Sequence, residues 1–346
     1  MLFTQFPFVK VVMAYLINKN TSDFFYINTH HSFGRLDNSV DTLINQVEVS
    51  RIHAVIEWDN EYWKLLDLSR NGTWLNGDKL KKEHYYSLKV GDEVYFGVPN
   101  QNGFVVKDVD PPTDFLVALD RSADSIEHII PLKSYNLLPN DEDPEYAIYL
   151  GYPNKYWCLE HLNQTDLHAK ILKENDLITF SGKRWQLRHN RSLESTRELR
   201  DEGWTLDTIE LIFNLSMDEE HTSLLLQTPS GSVELDARIY HYLTLSLARY
   251  KAEAAIKNIT KSEQGWIYTE QLAKDLGLSE TYTNIQIHRA RKHFTDAMSE
   301  HLDCSNFIQR RDGKVRLGAT RFKIYKGQKL ECACSDQSTQ FGNMGL

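Results

Sequence analysis

Three short stretches in a fixed order decide how the front of this chain is read: Gly34-Arg35, then Ser50-Arg51-Ile52-His53, then Asn71-Gly72-Thr73-Trp74-Leu75-Asn76-Gly77. Each combines loop-forming glycine or asparagine with a charged or hydroxyl side chain. Around them the sequence alternates short β-branched and aromatic runs with polar turns. Phe24–Ile27, Ala54–Trp58, Tyr62–Leu68 and Glu93–Phe96 read as strands, punctuated at Asp59-Asn60, Asn76-Gly77-Asp78 and Gly91-Asp92. Many short strands joined by polar loops predict a β-sandwich over residues 13–108, closed by Asp108-Val109-Asp110-Pro111-Pro112.

The order and spacing of the three stretches, with the later Leu88-Lys89-Val90-Gly91-Asp92 turn, closely resemble the forkhead-associated (FHA) domain, a reader of phosphothreonine. A phosphothreonine presents a near-dianion with three acceptor oxygens. Holding it in water requires a permanent cation plus short hydroxyl and amide donors. The resemblance implies phosphate contacts from Arg35, Ser50, Arg51 and Arg70, and a peptide-backbone contact from Asn71. It assigns Gly34, His53, Gly72, Thr73, Trp74 and Asn76 to shaping the loops. The implied partner is a threonine-phosphorylated protein, including another copy of this chain.

With 346 residues, 41% hydrophobic and 25% charged, the chain is long enough for two or three domains. The fold class expected is multidomain, mainly β with an α/β part. Residues 113–190 read as a β-rich middle domain. Tyr156–Leu162 echoes Tyr62–Leu68, and Leu172–Gly182 echoes Leu88–Gly97, but no Asn-Gly-Thr loop lies between the echoes. A degenerate FHA-like copy and an unrelated β domain both fit. Residues 190–204 read as a linker.

Beyond it, Thr208–Ser216 and Ser223–Thr228 read as paired strands, and the helical period takes over from Asp236. Thr269 and Ser279 are candidate caps of two further helices, and Asp312-Gly313 is a hairpin turn. Residues 205–327 resemble a winged helix-turn-helix of the OmpR-type transcription regulators, chiefly through Thr283–Phe294. That implies double-stranded DNA as a partner, with Gln286 and Arg289 at base edges and Thr283, His288, Arg291 and Lys292 at phosphates. Arg310, Arg311, Lys314 and Arg316 fall on the wing. The expected glycine-rich wing closure with its tyrosine is replaced by Leu317-Gly318-Ala319-Thr320-Arg321-Phe322. From Thr281 to Gly327 ten basic residues face four acidic ones, in a chain of net charge −9. Such asymmetry points to one module meeting a polyanion. Residues 328–346 read as a disordered tail.

No apolar run is long enough to span a bilayer, and the apolar opening before Tyr15 reads as a ragged strand start, with Met13 an alternative start. Cys158, Cys304, Cys332 and Cys334 lack metal-ligand spacing, and a disulfide framework is not expected in a chain this size, so a reducing cytoplasm is expected. His30, His31, His161 and His168 read as solvent-exposed polar residues, and Asp141-Glu142-Asp143 as an acidic loop. No phosphate-loop, zincin or nucleophile-elbow motif occurs. No enzyme, cofactor, metal or small-molecule substrate is therefore expected. The expected function is a cytoplasmic bacterial-type transcription regulator that binds a phosphothreonine partner and DNA. The alternative is a phosphothreonine-dependent scaffold whose winged helix serves protein contacts.

Overall fold

A computed structural model describes residues 13–119, 129–151, 156–163, 169–190, 204–299, 302–335 and 339–341. The strand start before Met13, His168 and the linker at 191–203 lie outside the described residues. The chain divides into two compact units, Met1–Leu132 with Glu174–Arg197, and Lys133–Lys173 with Glu198–Leu346. The expected middle domain is thus not set apart: its strands are shared between the two units.

In the first unit, eleven strands build the front sandwich. They are β1 (Tyr15–Asn18), β2 (Phe24–Tyr26), β3 (His30–Gly34), β4 (Thr42–Leu43), β5 (Ala54–Trp58), β6 (Trp63–Asp67), β7 (Thr73–Leu75), β8 (Asp78–Lys79), β9 (Tyr85–Ser87), β10 (Glu93–Phe96) and β11 (Gly103–Asp108). One sheet runs β2-β1-β11-β10-β7-β8 and the other β4-β3-β5-β6-β9. The alternation read in the sequence is what fills the space between them. Trp63 and Leu65 of β6, Ile56 of β5, Phe33 of β3 and Phe96 of β10 are buried together. Phe33 stacks on Phe96 at 4.9 Å, and Phe104 meets both rings edge-on. Burying each such ring contributes about 1.5–3 kcal/mol.

The first unit also holds the sheet β13-β12-β19-β18, made of β12 (Phe115–Ala118), β13 (Ile129–Pro131), β18 (Leu177–Phe180) and β19 (Lys183–Arg188). Asn190 stitches this sheet to the front sandwich. Its backbone N–H donates to Asp114, its amide nitrogen donates to the Ile27 carbonyl, and its amide oxygen accepts from the Thr29 N–H.

The second unit begins with β14 (Tyr135–Leu138), β15 (Tyr146–Gly151), β16 (Tyr156–His161) and β17 (Lys170–Leu172), paired in that order. The two middle sheets repeat the strand order of the front sandwich. β13-β12-β19-β18 has the connectivity of β2-β1-β11-β10, and β14-β15-β16-β17 that of β3-β5-β6-β9. Among the described residues nothing corresponds to β4, β7 or β8.

The rest of the second unit carries the helices. A six-stranded sheet, β22-β21-β20-β26-β27-β28, joins β20 (Glu210–Leu215), β21 (Thr222–Thr228), β22 (Gly231–Leu235), β26 (Phe322–Lys326), β27 (Lys329–Cys334) and β28 (Thr339–Phe341). The helices are α1 (Ile239–Ile256), α2 (Thr269–Leu276) and α3 (Glu280–Met298). A small sheet β23-β25-β24 joins β23 (Ile267–Tyr268) to the hairpin of β24 (Ile308–Arg311) and β25 (Lys314–Leu317). Ser279 caps α3 by accepting from the Tyr282 N–H, and Asp312-Gly313 turns the hairpin with both residues left-handed. Thr269 is not a cap; it is the first residue of α2, and Tyr268 precedes it. Phe213, Phe322, Leu243, Leu247, Ile287, Ala290 and Phe294 share one core, with Phe294 stacked on Phe307.

Among the described residues the expectation of a disordered tail from 328 is overturned at 329–334. Residues 329–334 pair with β26, Cys332 and Cys334 are buried, and Glu331 receives both guanidinium bonds of Arg249 at 2.7 Å. Two small inward side chains among polar ones produce too short an alternation to stand out in the sequence. The four cysteines are buried free thiols. No helix among the described residues is long and apolar enough to cross a membrane.

Burial pushes the imidazoles of His31, His241 and His288 down to about 4. The unfolded chain, with histidines near pH 6.5, therefore takes up these protons first. Stability is complete above about pH 6.5 and falls as pH drops toward 4, by up to about 2 kcal/mol per histidine at pH 5. Urea midpoints measured between pH 7.5 and pH 5 are expected to decline steadily, and a midpoint unchanged over that range would contradict the buried neutral state.

Candidate functional site

The three motif stretches meet at one end of the front sandwich. The Arg35 N–H donates to the Ser50 carbonyl at 3.0 Å, and the Leu36 N–H donates to the Arg51 carbonyl, so the loops carrying Arg35 and Ser50 run side by side. Gly34 permits this approach, because a Cβ there would collide with the backbone carbonyl of Arg51. The third loop joins through Ser50 and Asn71. Ser50 Oγ accepts from the Arg70 N–H at 3.0 Å, and the Asn71 amide donates to the Glu48 carbonyl at 2.7 Å.

His53 ties the arrangement together from beneath. It is fully buried, its Nδ1 accepts from the Ser50 N–H at 2.9 Å, and its Nε2 lies 3.0 Å from the Gly72 carbonyl. An amide N–H on one nitrogen and a carbonyl on the other require the neutral tautomer with the proton on Nε2. Burial lowers the His53 pKa and favours that neutral form. Two groups that the sequence reading missed complete the scaffold. Ser69 Oγ accepts from the Gly72 N–H, and the buried Asp67 carboxylate accepts from the Ser69 N–H and the Thr73 hydroxyl. The Asp67-x-Ser69 spacing just before Asn71-Gly72 is an Asx-turn pattern and was the available signal. Asn76 sits left-handed, accepts from the Glu93 N–H and donates to Asp92, fixing the turn after β7.

The outward side chains are left over for a ligand. Arg35, Arg51, Arg70 and Asn71 are exposed, and Ser50 is half-buried. Among the described residues none of the three guanidinium groups pairs with a carboxylate. The Ser50 hydroxyl accepts from Arg70 and still has its own proton to donate. Asn71 uses one amide hydrogen on Glu48 and retains its oxygen and second hydrogen. Three arginines, one hydroxyl and one amide thus stand on adjoining loops at one end of the sandwich, and all are groups of the kind that donate to an anion.

Of the histidines read as solvent-exposed, His31 is instead buried, accepting from the Asn28 N–H and bonded to the Thr42 hydroxyl. His30 is exposed beside Glu57, and the His161 ring packs edge-on against Tyr146.

The candidate DNA residues are placed less simply. Thr283 (0% exposed) and Gln286 (2%) are buried, so neither stands on an open face of α3 as the sequence suggested. The helix phase explains this: Thr283 lies on the face of Ile287, Ala290 and Phe294, and Gln286 borders a hollow lined by Glu219, Tyr242 and Leu278. His288, expected at a phosphate, is also buried, and the Tyr135 hydroxyl bonds its Nδ1 at 2.7 Å. Arg289 donates to the carbonyls of Asp141 and Glu142. Arg291 donates to the Ile308 carbonyl, and Lys292 sits between Asp141 and Asp296. Arg310 donates to Glu160 at 2.6 Å and to Asn284. Arg311 pairs with Glu263, Arg316 bonds Gln309 and the Ser262 carbonyl, and both flank the Trp266 ring. Lys314 stands over Tyr268.

The positive excess counted from 281 to 327 is therefore largely answered in three dimensions. Asp141, Glu160, Glu210, Glu219 and Glu263 lie outside that window and supply partners to Lys292, Arg310, Lys323, Lys326 and Arg311. A charge count along a window cannot register such partners.

Residues 31–97 match the FHA domain family. Among solved structures, Mycobacterium tuberculosis EmbR in complex with a low affinity phosphopeptide aligns at 23% identity over 29% of this chain and 25% of its own, with a TM-score of 0.26. This chain therefore spans about a quarter of that relative's length. The N-terminal FHA domain of S. cerevisiae Rad53p, in complex with a phosphothreonine peptide, aligns at 24% identity over 28% of this chain and 94% of its own, with a TM-score of 0.26. The FHA domain of the CT664 protein from Chlamydia trachomatis aligns at 22% identity over 28% and 96%, with a TM-score of 0.24. No match to a curated protein was found. The family match covers residues 31–97 of the front sandwich and agrees with the motif order in its sequence.

Replacing His53 by alanine leaves the half-buried Ser50 N–H without its acceptor and removes one of two bonds to the Gly72 carbonyl, which still accepts from the Gly97 N–H. An unsatisfied group of this kind costs about 1–3 kcal/mol. Equilibrium unfolding of His53→Ala should show a loss in that range, and a change within about 0.5 kcal/mol, the usual spread of surface substitutions, would remove His53 from the scaffold.

Proposed function

We propose that the protein is a non-enzymatic, cytoplasmic signalling regulator whose front domain docks a threonine-phosphorylated partner protein. The observation carrying this reading is that the backbones of Arg35, Arg51 and Arg70, none of them ion-paired among the described residues, meet at Ser50, whose hydroxyl retains its proton. In the proposal the phosphate sits among these groups, and Asn71 pairs with the peptide backbone beside it to set register. The ligand class is supported by the FHA family match over 31–97 and by the two similar structures that hold phosphopeptides.

The second element of the proposal is a winged helix formed by α1, α2, α3 and the β24–β25 hairpin, which binds duplex DNA and makes the protein a transcription regulator. Support comes from the order of three helices followed by a hairpin, and from Arg289 and Lys292 on the side of α3 opposite its core. The scaffold alternative, in which the same module contacts protein, is favoured by the intramolecular engagement of its arginines.

Peptide binding to the full chain, followed by fluorescence polarisation with phosphothreonine peptides and their unphosphorylated counterparts, tests the front site. Binding should require the phosphate. Arg35→Ala and Ser50→Ala should each weaken it by about tenfold or more, as expected for loss of a charge-assisted hydrogen bond of about 1.5–3 kcal/mol. Undiminished binding by Arg35→Ala would refute the site assignment.

A further inference from the structure

α3 has two faces in use. Ile287, Ala290, Phe294 and Met298 pack into the main core, while Asn284, Ile285, His288, Arg289 and Lys292 point to the opposite side. That opposite side is the one through which a helix of this kind would meet a groove. It is covered by the β14–β17 sheet.

The cover combines a small apolar cluster with acidic and carbonyl groups. Tyr135, Leu137, Ala147 and Leu162 gather around Ile285. Leu162 accepts from the Asn284 amide through its backbone carbonyl at 2.7 Å. The Glu160 carboxylate, 6% exposed, takes Arg310 at 2.6 Å and lies 3.8 Å from Arg291. The loop between β14 and β15 closes the far side, where its carbonyls and the Asp141 carboxylate hold Arg289 and Lys292. Burial alone would raise the Glu160 carboxyl; His288, Arg291 and Arg310 outweigh it and hold it well below the usual carboxylate range. The carboxylate is thus an anion at neutral pH, placed among arginines much as a backbone phosphate would be.

We infer that the β14–β17 sheet is a built-in acidic competitor for the outer face of α3, so that this face accepts a polyanionic partner only when the sheet has moved away. The inference rests on the winged-helix reading of the second unit and deepens it. The apolar part of the contact is short: four buried side chains with Tyr149 and Ile285 packed on them, against the long core on the other face of the helix. The chain also gives the sheet a tether. β13 ends at Pro131 and β14 starts at Tyr135, while β17 ends at Leu172 and β18 starts at Leu177. Both ends of the cover are therefore joined by short connections to strands of the phosphopeptide-reading unit.

The test uses the full chain, duplex DNA of random sequence, and two cover variants, Glu160→Gln and Tyr135→Phe. Hydrogen exchange across β14–β17 is followed alongside DNA binding. Wild type is expected to bind DNA weakly at low salt. Either variant should exchange faster in the cover and bind about tenfold or more tightly. That gain should fall steeply between about 50 and 200 mM salt and vanish when Arg289→Ala is added. If wild type binds as tightly as both variants, the sheet does not compete and the inference fails, while the DNA reading survives. If the variants open the cover but neither binds DNA, the DNA reading fails and takes the inference with it. If folded variants change neither exchange nor binding, the sheet is a permanent layer and the inference is wrong.

Discussion

Everything at the front of the molecule depends on one buried imidazole between two loops. His53 accepts an N–H from Ser50 and gives a proton to the Gly72 carbonyl. It thereby fixes the distance between the loop that carries Ser50 and Arg51 and the loop that carries Arg70 and Asn71. A neutral imidazole can accept on one nitrogen and donate on the other, as both contacts require. Because it is buried, its charge state is held by the fold, and the backbones that carry the exposed arginines are held with it. An array of cations that stay unpaired needs this kind of support, since mutual repulsion otherwise spreads them.

The second unit shows the opposite use of charge. Its arginines and lysines are mostly engaged by carboxylates and carbonyls of the same unit, and the deepest of these pairs surrounds Glu160. Exposed pairs such as Arg311–Glu263 hold little free energy and exchange partners readily. The Glu160 group differs because its carboxylate is largely out of water, so departure of its arginines would leave a buried negative charge uncompensated. The two middle sheets repeat the strand order of the front sandwich, and among the described residues nothing in them corresponds to β4, β7 and β8. The β14–β17 sheet packs on α3.

Legibility in the sequence followed how local each determinant is. The strands at 54–58, 63–67 and 93–96, the Ser279 cap and the Asp312-Gly313 turn depend on neighbours within a few residues and were readable. The loop motifs were readable for the same reason. His31, β27, and the burial of Thr283, Gln286 and His288 were not, because each is decided by contacts with distant segments. The phase of α3 was half legible. Its apolar stripe identified the inner face, but nothing in residues 280–298 reveals that a sheet from 135–172 lies on the outer one.

The sequence by itself determined the front sandwich, the identity of its loop donors and the succession of helices and hairpin behind it, because turn chemistry and hydrophobic period act over a few residues. Only the tertiary structure decided which charges are free. Arg35, Arg51 and Arg70 lack carboxylate partners among the described residues, whereas Arg289, Arg291 and Arg310 are engaged. Whether a cation is available to a ligand depends on the carboxylate or carbonyl nearest in space, and that neighbour can lie more than a hundred residues away along the chain, as Glu160 does from Arg310.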